Sequence, residues 1–163
     1  MADTETHPDS GDKAPDFDLP AAGAENIRLS AFAGKPVVLF FYPKDDTSGC
    51  TAEAKDFTRL AADFDAAGAH VLGISPDGVA SHAKFKTKHD LGVTLLADED
   101  KTVVETYGVW VEKSMYGRKY MGVERSTFLI DAKGRISDIW RKVKVPGHAE
   151  KVLDAVKALA NNK

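Results

Sequence analysis

Apolar residues in this chain fall into short runs separated by polar turns. The runs PVVLFFY (36–42) and HVLGIS (70–75) are almost continuously apolar, a pattern typical of strands that are buried on both faces of a sheet. Three shorter runs, at 94–98, 125–130 and 135–140, predict further strands. The turn sequence DAKG separates the last two, which indicates an antiparallel hairpin.

Between the strands, apolar residues recur at intervals of three and four, which predicts amphipathic helices. We expect helices over residues 50–67, 79–90, 101–108 and 148–161. Gly68 ends the first of them, because glycine readily adopts the left-handed conformation that closes a helix.

Two further segments, 17–32 and 110–124, contain glycine turns between short strand-like stretches and predict hairpins. Strands that alternate with helices, followed by a hairpin and a final helix, describe an α/β protein with a central mixed β-sheet flanked by helices. A thioredoxin-like fold with an N-terminal β-hairpin extension is the most economical match to this order of elements.

The length of 163 residues suits one domain with a substantial core. Apolar residues make up 43% of the chain and charged residues 29%, the balance of a soluble globular protein. The polar, acidic start predicts a disordered tail over residues 1–13 and lacks the apolar core of a signal peptide. We therefore expect a single domain over residues 14–163.

The net charge of −3 argues against nucleic-acid binding, which favours a basic face. The basic run RKVKV (141–145) is interpreted as a charged strand edge, with attraction of an acidic reductant as the open alternative. No run approaches the roughly 18 apolar residues of a membrane span. The five histidines show no metal-ligand spacing, and His82 and His89 are expected on a solvated helix face. We expect no nucleic-acid or membrane partner and no metal.

Cys50 is the only cysteine in the chain. A single thiol excludes an intramolecular disulfide, a CxxC dithiol and a cysteine-rich zinc site, and it favours a reducing, cytoplasmic setting. Cys50 opens a predicted helix, where free backbone N–H groups and the helix dipole stabilise an anion. Thiols in such positions ionise more readily than free cysteine, and the thiolate is the reactive form. The placement predicts a nucleophile.

A buried structural cysteine is the ordinary interpretation of a lone thiol. The neighbours of Cys50 favour a reactive one, because the polar loop PKDDTSG (43–49) lies at the carboxyl end of a predicted central strand, where α/β proteins place ligand sites. We expect the side chain to be half sheltered, since Ala54 and Phe57 share its helix face. A Cys–His hydrolase is not supported, because no histidine lies near Cys50 in the sequence.

The stretch FFYPKDDTSGCTAEAKDF (40–57) contains Pro43-x3-Thr47-x2-Cys50 and resembles the active-site signature of peroxiredoxins. The segments VLGIS, LLADED, YGVW, EKSMYG and RSTFLID extend the resemblance to the Q-type branch, also called bacterioferritin comigratory protein. It covers nearly the whole chain after about residue 14. The resemblance implies a thiol-specific peroxidase that reduces hydrogen peroxide and organic hydroperoxides and needs neither a metal nor an organic cofactor.

The resemblance also assigns roles around the thiol. It implies that Cys50 is the peroxidatic cysteine, which attacks peroxide and becomes a sulfenic acid. Thr47 would place its hydroxyl on the peroxide, Pro43 would shield the sulfenic acid, and Arg125 would bind both thiolate and peroxide. Gly49 would complete the substrate-binding loop.

Each helper also has a plainer interpretation. Thr47 is a suitable helix cap, Pro43 is common in loops, and Arg125 could lie at an exposed strand edge. Their joint occurrence in one signature favours the catalytic interpretation. Glu53 is left unassigned, between a place near the pocket and a solvated helix face.

The chain departs from the family where many Q-type members carry a second cysteine. Lys55 stands five residues after Cys50, KFKTKH (84–89) contains no cysteine, and Ser48 replaces a proline that often precedes Gly-Cys. The departure predicts a one-cysteine mechanism in which an external thiol resolves the sulfenic acid: thioredoxin, glutaredoxin or a low-molecular-weight thiol. The resemblance points to a monomer and leaves a dimer open.

Two other function classes remain. A peroxide sensor or holdase would use the oxidation of Cys50 stoichiometrically, whereas an enzyme would turn over with a thiol reductant. A thioredoxin-like binding module without activity would carry a sluggish thiol.

Overall fold

The computed structural model describes residues 8–161, and elements are numbered in chain order. The strands are β1 (Asp18–Ala21), β2 (Ala24–Arg28), β3 (Val37–Phe41), β4 (His70–Ser75), β5 (Thr94–Ala97), β6 (Trp110–Met115), β7 (Arg118–Val123), β8 (Ser126–Ile130) and β9 (Ile136–Trp140). The helices are α1 (Ser48–Arg59), α2 (Ala61–Ala66), α3 (Val79–His89), α4 (Thr102–Thr106) and α5 (His148–Asn161), with a 3-10 turn at Leu29–Phe32.

Seven strands form one sheet in the order β2-β1-β5-β4-β3-β8-β9, and β6 and β7 form a separate two-stranded ribbon. Strands β3, β4 and β5 are parallel neighbours, whereas β8 lies antiparallel to β3 and β9 antiparallel to β8. The N-terminal hairpin β1–β2 extends the sheet because Ala21 pairs with Leu96 of β5. The sequence prediction of a central mixed sheet with an N-terminal hairpin is confirmed.

The two faces of the sheet support two apolar cores, and β3 contributes to both. Val37, Leu39 and Phe41 enter one core, which contains α4, while Val38 and Phe40 enter the other, which contains α1, α2, α3 and α5. Alternate side chains of a strand point to opposite faces. The continuous apolar run is therefore explained by helices on both sides of β3, as in other buried parallel strands.

The start of the chain differs from its prediction. Residues 1–7 of the expected disordered tail lie outside the described residues. Residues 9–13 are held against the β8–β9 turn, where the Gly11 N–H donates to the Ile136 carbonyl at 2.8 Å and the Ile136 N–H donates to the Asp12 carbonyl at 2.8 Å. The structured chain therefore begins before Ala14, because this polar segment finds backbone partners on the hairpin.

The helix expected over residues 50–67 is two helices. It begins earlier, at Ser48, and breaks at Leu60, whose ψ of 6° leaves the helical range. Phe57 before the break and Phe64 after it are both buried in the same core. The apolar spacing therefore continues across the break, so the sequence pattern does not show where α1 ends and α2 begins.

Two further expectations about the surface are wrong. The basic segment 141–145 is a loop after β9 rather than a strand edge, and its Val143 N–H donates to the Arg125 carbonyl at 3.0 Å. His82 lies on α3 but is fully buried rather than on a solvated face. Among the helices of residues 8–161, none has the length and apolar composition that crossing a membrane requires.

The packing at Gly73, in the middle of β4, predicts a stability effect. A Cβ atom there would lie 2.6 Å from Phe40 Cζ and 2.8 Å from Leu95 Cδ2, and both side chains are fully buried. Gly73→Ala is expected to lower the free energy of unfolding by about 1–3 kcal/mol, as overpacked cores do.

Urea unfolding measures this change. Gly92→Ala is the matched control, because its Cβ would meet only Thr58 Cγ2 at an ordinary 3.6 Å, and its effect should stay within about 0.5 kcal/mol. Equal effects of the two substitutions would contradict the packing described for β4.

Candidate active site

Cys50 lies just beyond the carboxyl end of β3, at the third position of α1. Its backbone N–H is among those that have no acceptor within the helix, and the positive end of the helix dipole is at the same place. The side chain is 1% exposed, so it is buried rather than half sheltered as expected. Burial in the core with Phe57 leaves the sulfur dependent on protein donors for any charge it carries.

Arg125 supplies such a donor. It immediately precedes β8, and the antiparallel register pairs Phe41, at the end of β3, with Ser126, at the start of β8. This pairing brings Arg125 to the loop that leads to Cys50, and its Nη2 atom donates to Cys50 Sγ at 3.3 Å. The alternative of an exposed strand-edge arginine does not hold, because the side chain is only 17% exposed.

Glu53 holds the other side of the same guanidinium. It lies one helical turn after Cys50, and its Oε1 accepts a hydrogen bond from Arg125 Nη1 at 2.7 Å. Burial raises the pKa of Glu53 to about 7, although the charge and hydrogen bond of Arg125 act in the opposite direction. Its Oε2 atom is buried without a partner among the described residues. Glu53, left unassigned from the sequence, is thus a buried neighbour of the thiol.

Two cations lie near the sulfur. Although burial opposes its charge, attraction to Glu53 and Cys50 raises the pKa of Arg125. Lys113, on β6, lies within electrostatic reach: burial and repulsion from Arg125 lower the pKa of Lys113, while Cys50 and Glu124 act in the opposite direction. Arg125 and Lys113 therefore place two basic side chains within electrostatic reach of the sulfur.

The remaining predicted residues lie around the turn that leads into α1. Thr47 occupies the N-cap position, but its hydroxyl donates to the Lys44 carbonyl at 2.9 Å and caps no helix amide. The capping interpretation of its side chain is therefore wrong. Pro43 is half-buried in the same loop. A Cβ atom on Gly49 would approach Arg125 Nη2 to 3.1 Å, so glycine leaves the guanidinium room beside the sulfur.

In residues 8–161, no group of three or more His, Cys, Asp and Glu side chains is arranged to hold a metal ion. The chemistry available at this site is that of a thiol, its cationic neighbours and the helix start. Such a set suits nucleophilic attack by sulfur on a bond that becomes polarised as it breaks.

The AhpC/TSA family matches residues 10–139, which include Cys50 and Arg125. The chain belongs to this family. Peroxiredoxin Bcp of Bacillus subtilis is 46% identical over 150 residues, which cover 92% of this chain and 96% of the relative. The resemblance to peroxiredoxins of the Q-type branch is confirmed.

Solved structures agree with this placement. The Xanthomonas campestris bacterioferritin comigratory protein is 45% identical with a TM-score of 0.84, covering 88% of this peroxiredoxin and 92% of that chain. PrxQ of Xylella fastidiosa is 40% identical with a TM-score of 0.89, covering 94% and 98% of the two chains. The predicted thioredoxin-like fold is confirmed.

The relatives also mark a difference. Peroxiredoxin Q of X. campestris has solved structures with serine at two different cysteine positions, so that protein has at least two cysteines. This peroxiredoxin has only Cys50, and therefore no second thiol of its own chain can form a disulfide with it.

The buried carboxyl of Glu53 predicts a pH-dependent stability. Its pKa is about 7 in the folded chain against an ordinary 4.5, so between these values the folded state binds the proton and the unfolded state does not. The free energy of unfolding contributed by this group therefore falls as pH rises from about 4.5 to about 7. Glu53→Gln removes this dependence. Its free energy of unfolding, measured relative to that of the parent, should therefore be about 2 kcal/mol higher at pH 8 than at pH 5.5.

Urea unfolding of both proteins at the two pH values tests the prediction. Glu150→Gln is the control: Arg59 lowers the pKa of this exposed carboxyl, so it is ionised in both states across the interval and its substitution should not change the difference. If the difference in free energy of unfolding between Glu53→Gln and the parent is independent of pH, Glu53 is ionised in the folded protein throughout this interval, which would contradict the prediction.

Proposed function

We propose that this peroxiredoxin reduces hydrogen peroxide and organic hydroperoxides through a sulfenic acid at Cys50, which an external thiol then resolves. The observation that carries the proposal is the hydrogen bond from Arg125 Nη2 to Cys50 Sγ, at a helix start, in a chain of this family. The X. campestris protein, whose solved complexes concern alkyl peroxide reduction, supports organic hydroperoxides as substrates.

The first step is a displacement at oxygen. The thiolate sulfur of Cys50 attacks one peroxide oxygen, a sulfur–oxygen bond forms and the oxygen–oxygen bond breaks. The sulfur loses two electrons and becomes a sulfenic acid, while the leaving oxygen takes up a proton and departs as water or an alcohol. Negative charge moves from sulfur to the leaving oxygen, so donors placed along this path lower the barrier.

Arg125 is placed to follow that charge. Its Nη2 atom contacts the sulfur before reaction, while Glu53 holds Nη1 at 2.7 Å and restricts rotation of the guanidinium. In the proposed complex, Thr47 orients the peroxide, Pro43 covers the sulfenic acid, and Gly49 leaves the space in which peroxide meets Arg125. The depth of Cys50 restricts water at the reacting atoms, which strengthens these interactions.

The second half of the cycle needs a thiol from outside the chain. That thiolate attacks the sulfenic sulfur, water leaves, and a mixed disulfide forms; a second thiol breaks it and restores Cys50. Thioredoxin, glutaredoxin or a low-molecular-weight thiol would serve, and the lone cysteine supports a reducing, cytoplasmic setting. We propose a monomer as the working unit, with a dimer as the alternative.

The alternative is a peroxide sensor or holdase that shares the first step. It predicts one oxidation per molecule and no turnover. The helix-start position and Arg125 favour an enzyme, because they stabilise charge that develops during reaction rather than the oxidised product.

Substitutions in the site should separate these functions. Cys50→Ser is expected to abolish peroxide consumption with excess thiol reductant, and Arg125→Ala to slow it by about 100-fold or more, since loss of one donor to developing charge has that effect. Arg59→Ala, on the exposed side of α1, is the matched control and should retain activity. Stopped-flow and steady-state assays measure these rates; peroxide turnover by Cys50→Ser would refute the assignment.

The single cysteine predicts sensitivity to excess peroxide. No second thiol in the chain can trap the sulfenic acid, so with reductant withheld the sulfur should proceed to sulfinic and sulfonic acid. Intact mass after a peroxide titration should show additions of two and three oxygen atoms in the parent and none at this site in Cys50→Ser. A sulfenic acid that survives excess peroxide with activity retained would oppose this prediction.

A further inference from the structure

The loop between β3 and α1 is anchored to the rest of the fold through a buried carboxylate. Asp45 Oδ1 accepts a hydrogen bond from the Tyr42 hydroxyl at 2.7 Å. Its Oδ2 accepts one from the Ser81 hydroxyl at 2.7 Å and lies 2.7 Å from His82 Nδ1. The carboxylate therefore ties a loop that carries Pro43 to the first turns of α3.

His82 completes this anchor. Its ring is fully buried, with Nδ1 facing the Asp45 carboxylate and Nε2 lying 2.9 Å from the Leu96 carbonyl oxygen. Beside an ionised Asp45, both neighbours only accept hydrogen bonds, so both ring nitrogens would donate, as they do in a protonated imidazole. The geometry therefore suits an imidazolium paired with a carboxylate in the core.

The other groups around His82 agree with this charge. The Tyr42 hydroxyl lies 3.4 Å from His82 Nδ1; burial raises the pKa of Tyr42, so the phenol stays protonated and donates to Asp45. Asp77, in the turn after β4, accepts the Asp45 backbone N–H at 2.7 Å and the Ser75 hydroxyl at 2.8 Å. Acidic groups from the loop after β3 and the turn after β4 therefore belong to the same hydrogen-bond network as His82.

We propose that the Asp45–His82 ion pair is a positioning device that fixes the loop carrying Pro43 and Thr47 for the attack of Cys50 on peroxide. The proposal rests on the proposed function and adds residues to it that touch neither the substrate nor the sulfur. Misplacement of groups around a reacting centre by about 1 Å can slow a reaction by about 100-fold, and these two residues hold one side of the loop.

The second link between this loop and α3 is weaker. Asp46 has a positive φ of 62° and contacts Lys88 and His89 at 2.7 Å each, but its carboxylate and Lys88 are exposed. Exposed ion pairs contribute little, whereas removing one partner of a buried pair leaves an uncompensated charge and is strongly unfavourable. The buried pair is therefore the stronger of the two links between the loop and α3.

Two reactions of the same sulfur distinguish positioning from simple loss of structure. Reaction with hydrogen peroxide needs the loop, whereas alkylation by the uncharged reagent iodoacetamide needs only an ionised, reachable Cys50. His82→Gln is expected to lower the rate constant for hydrogen peroxide by at least about fivefold without lowering the alkylation rate constant. Ser81→Ala, which removes one hydrogen bond to Asp45, is likewise expected to lower the peroxide rate constant without lowering the alkylation rate constant. His89→Gln, on the exposed pair, is the matched control and should leave both unchanged.

A peroxide rate reduced less than fivefold in His82→Gln, or a parallel fall of both rates, overturns the proposal. If His82→Gln fails to fold, the Ser81→Ala rates decide. A peroxide rate constant that does not fall relative to the alkylation rate constant in Ser81→Ala then overturns the proposal. Nitrogen NMR of the unmodified protein at pH 7 tests the charge directly: two protonated ring nitrogens are expected on His82, and one unprotonated nitrogen overturns the inference. If the parent protein does not react with peroxide, the proposed function is refuted. The NMR result does not depend on activity, so this failure is distinguishable from failure of the ion-pair proposal.

Discussion

The hydrogen bond between Arg125 and the sulfur of Cys50 depends on the register of two adjacent strands. Phe41 pairs with Ser126 where β3 ends and β8 begins, so the residue before β8 faces the loop after β3. Arg125 and Cys50 are 75 positions apart in the chain. A slip of one residue in the pairing of β3 with β8 would turn the side chains of β8 to the opposite face. The contact between Arg125 and Cys50 is therefore a consequence of how the sheet is assembled.

The same contact involves a compromise between buried charges. A guanidinium removed from water requires a partner, and Glu53 provides one at 2.7 Å. The sulfur and the carboxylate share one cation, and burial raises the pKa of Glu53 to about 7. Replacing buried ion pairs with apolar groups is often neutral or stabilising, so this arrangement is better suited to chemistry at Cys50 than to stabilising the fold.

The sequence predicted the parts of the fold that follow from local periodicity. The runs of β3 and β4 are apolar because helices cover both faces of the sheet, and this pattern is visible without a structure. Cys50 was identified because the end of a strand and the start of a helix meet there. The pairing with Arg125 came from the resemblance to peroxiredoxins, since nothing local connects residues so far apart.

What the sequence missed depends on partners that are distant in the chain. His82 lies in a polar stretch, and only the positions of Asp45 and the Leu96 carbonyl reveal that its ring is buried. Cys50 was expected to be half sheltered, but the packing of α1 against the sheet buries it. The break at Leu60 leaves the apolar spacing unchanged. Such features arise from tertiary contacts, which residue patterns do not record.

We propose that the folded surroundings of Cys50, and not the thiol alone, create its reactivity. The most direct measurement is the rate constant for reaction of hydrogen peroxide with the reduced chain, folded and in concentrated urea, at the same pH. Because the chain has one cysteine, thiol loss reports Cys50 in both states. The folded chain is expected to react at least about 100-fold faster; equal rates in the two states would contradict a role for the folded surroundings.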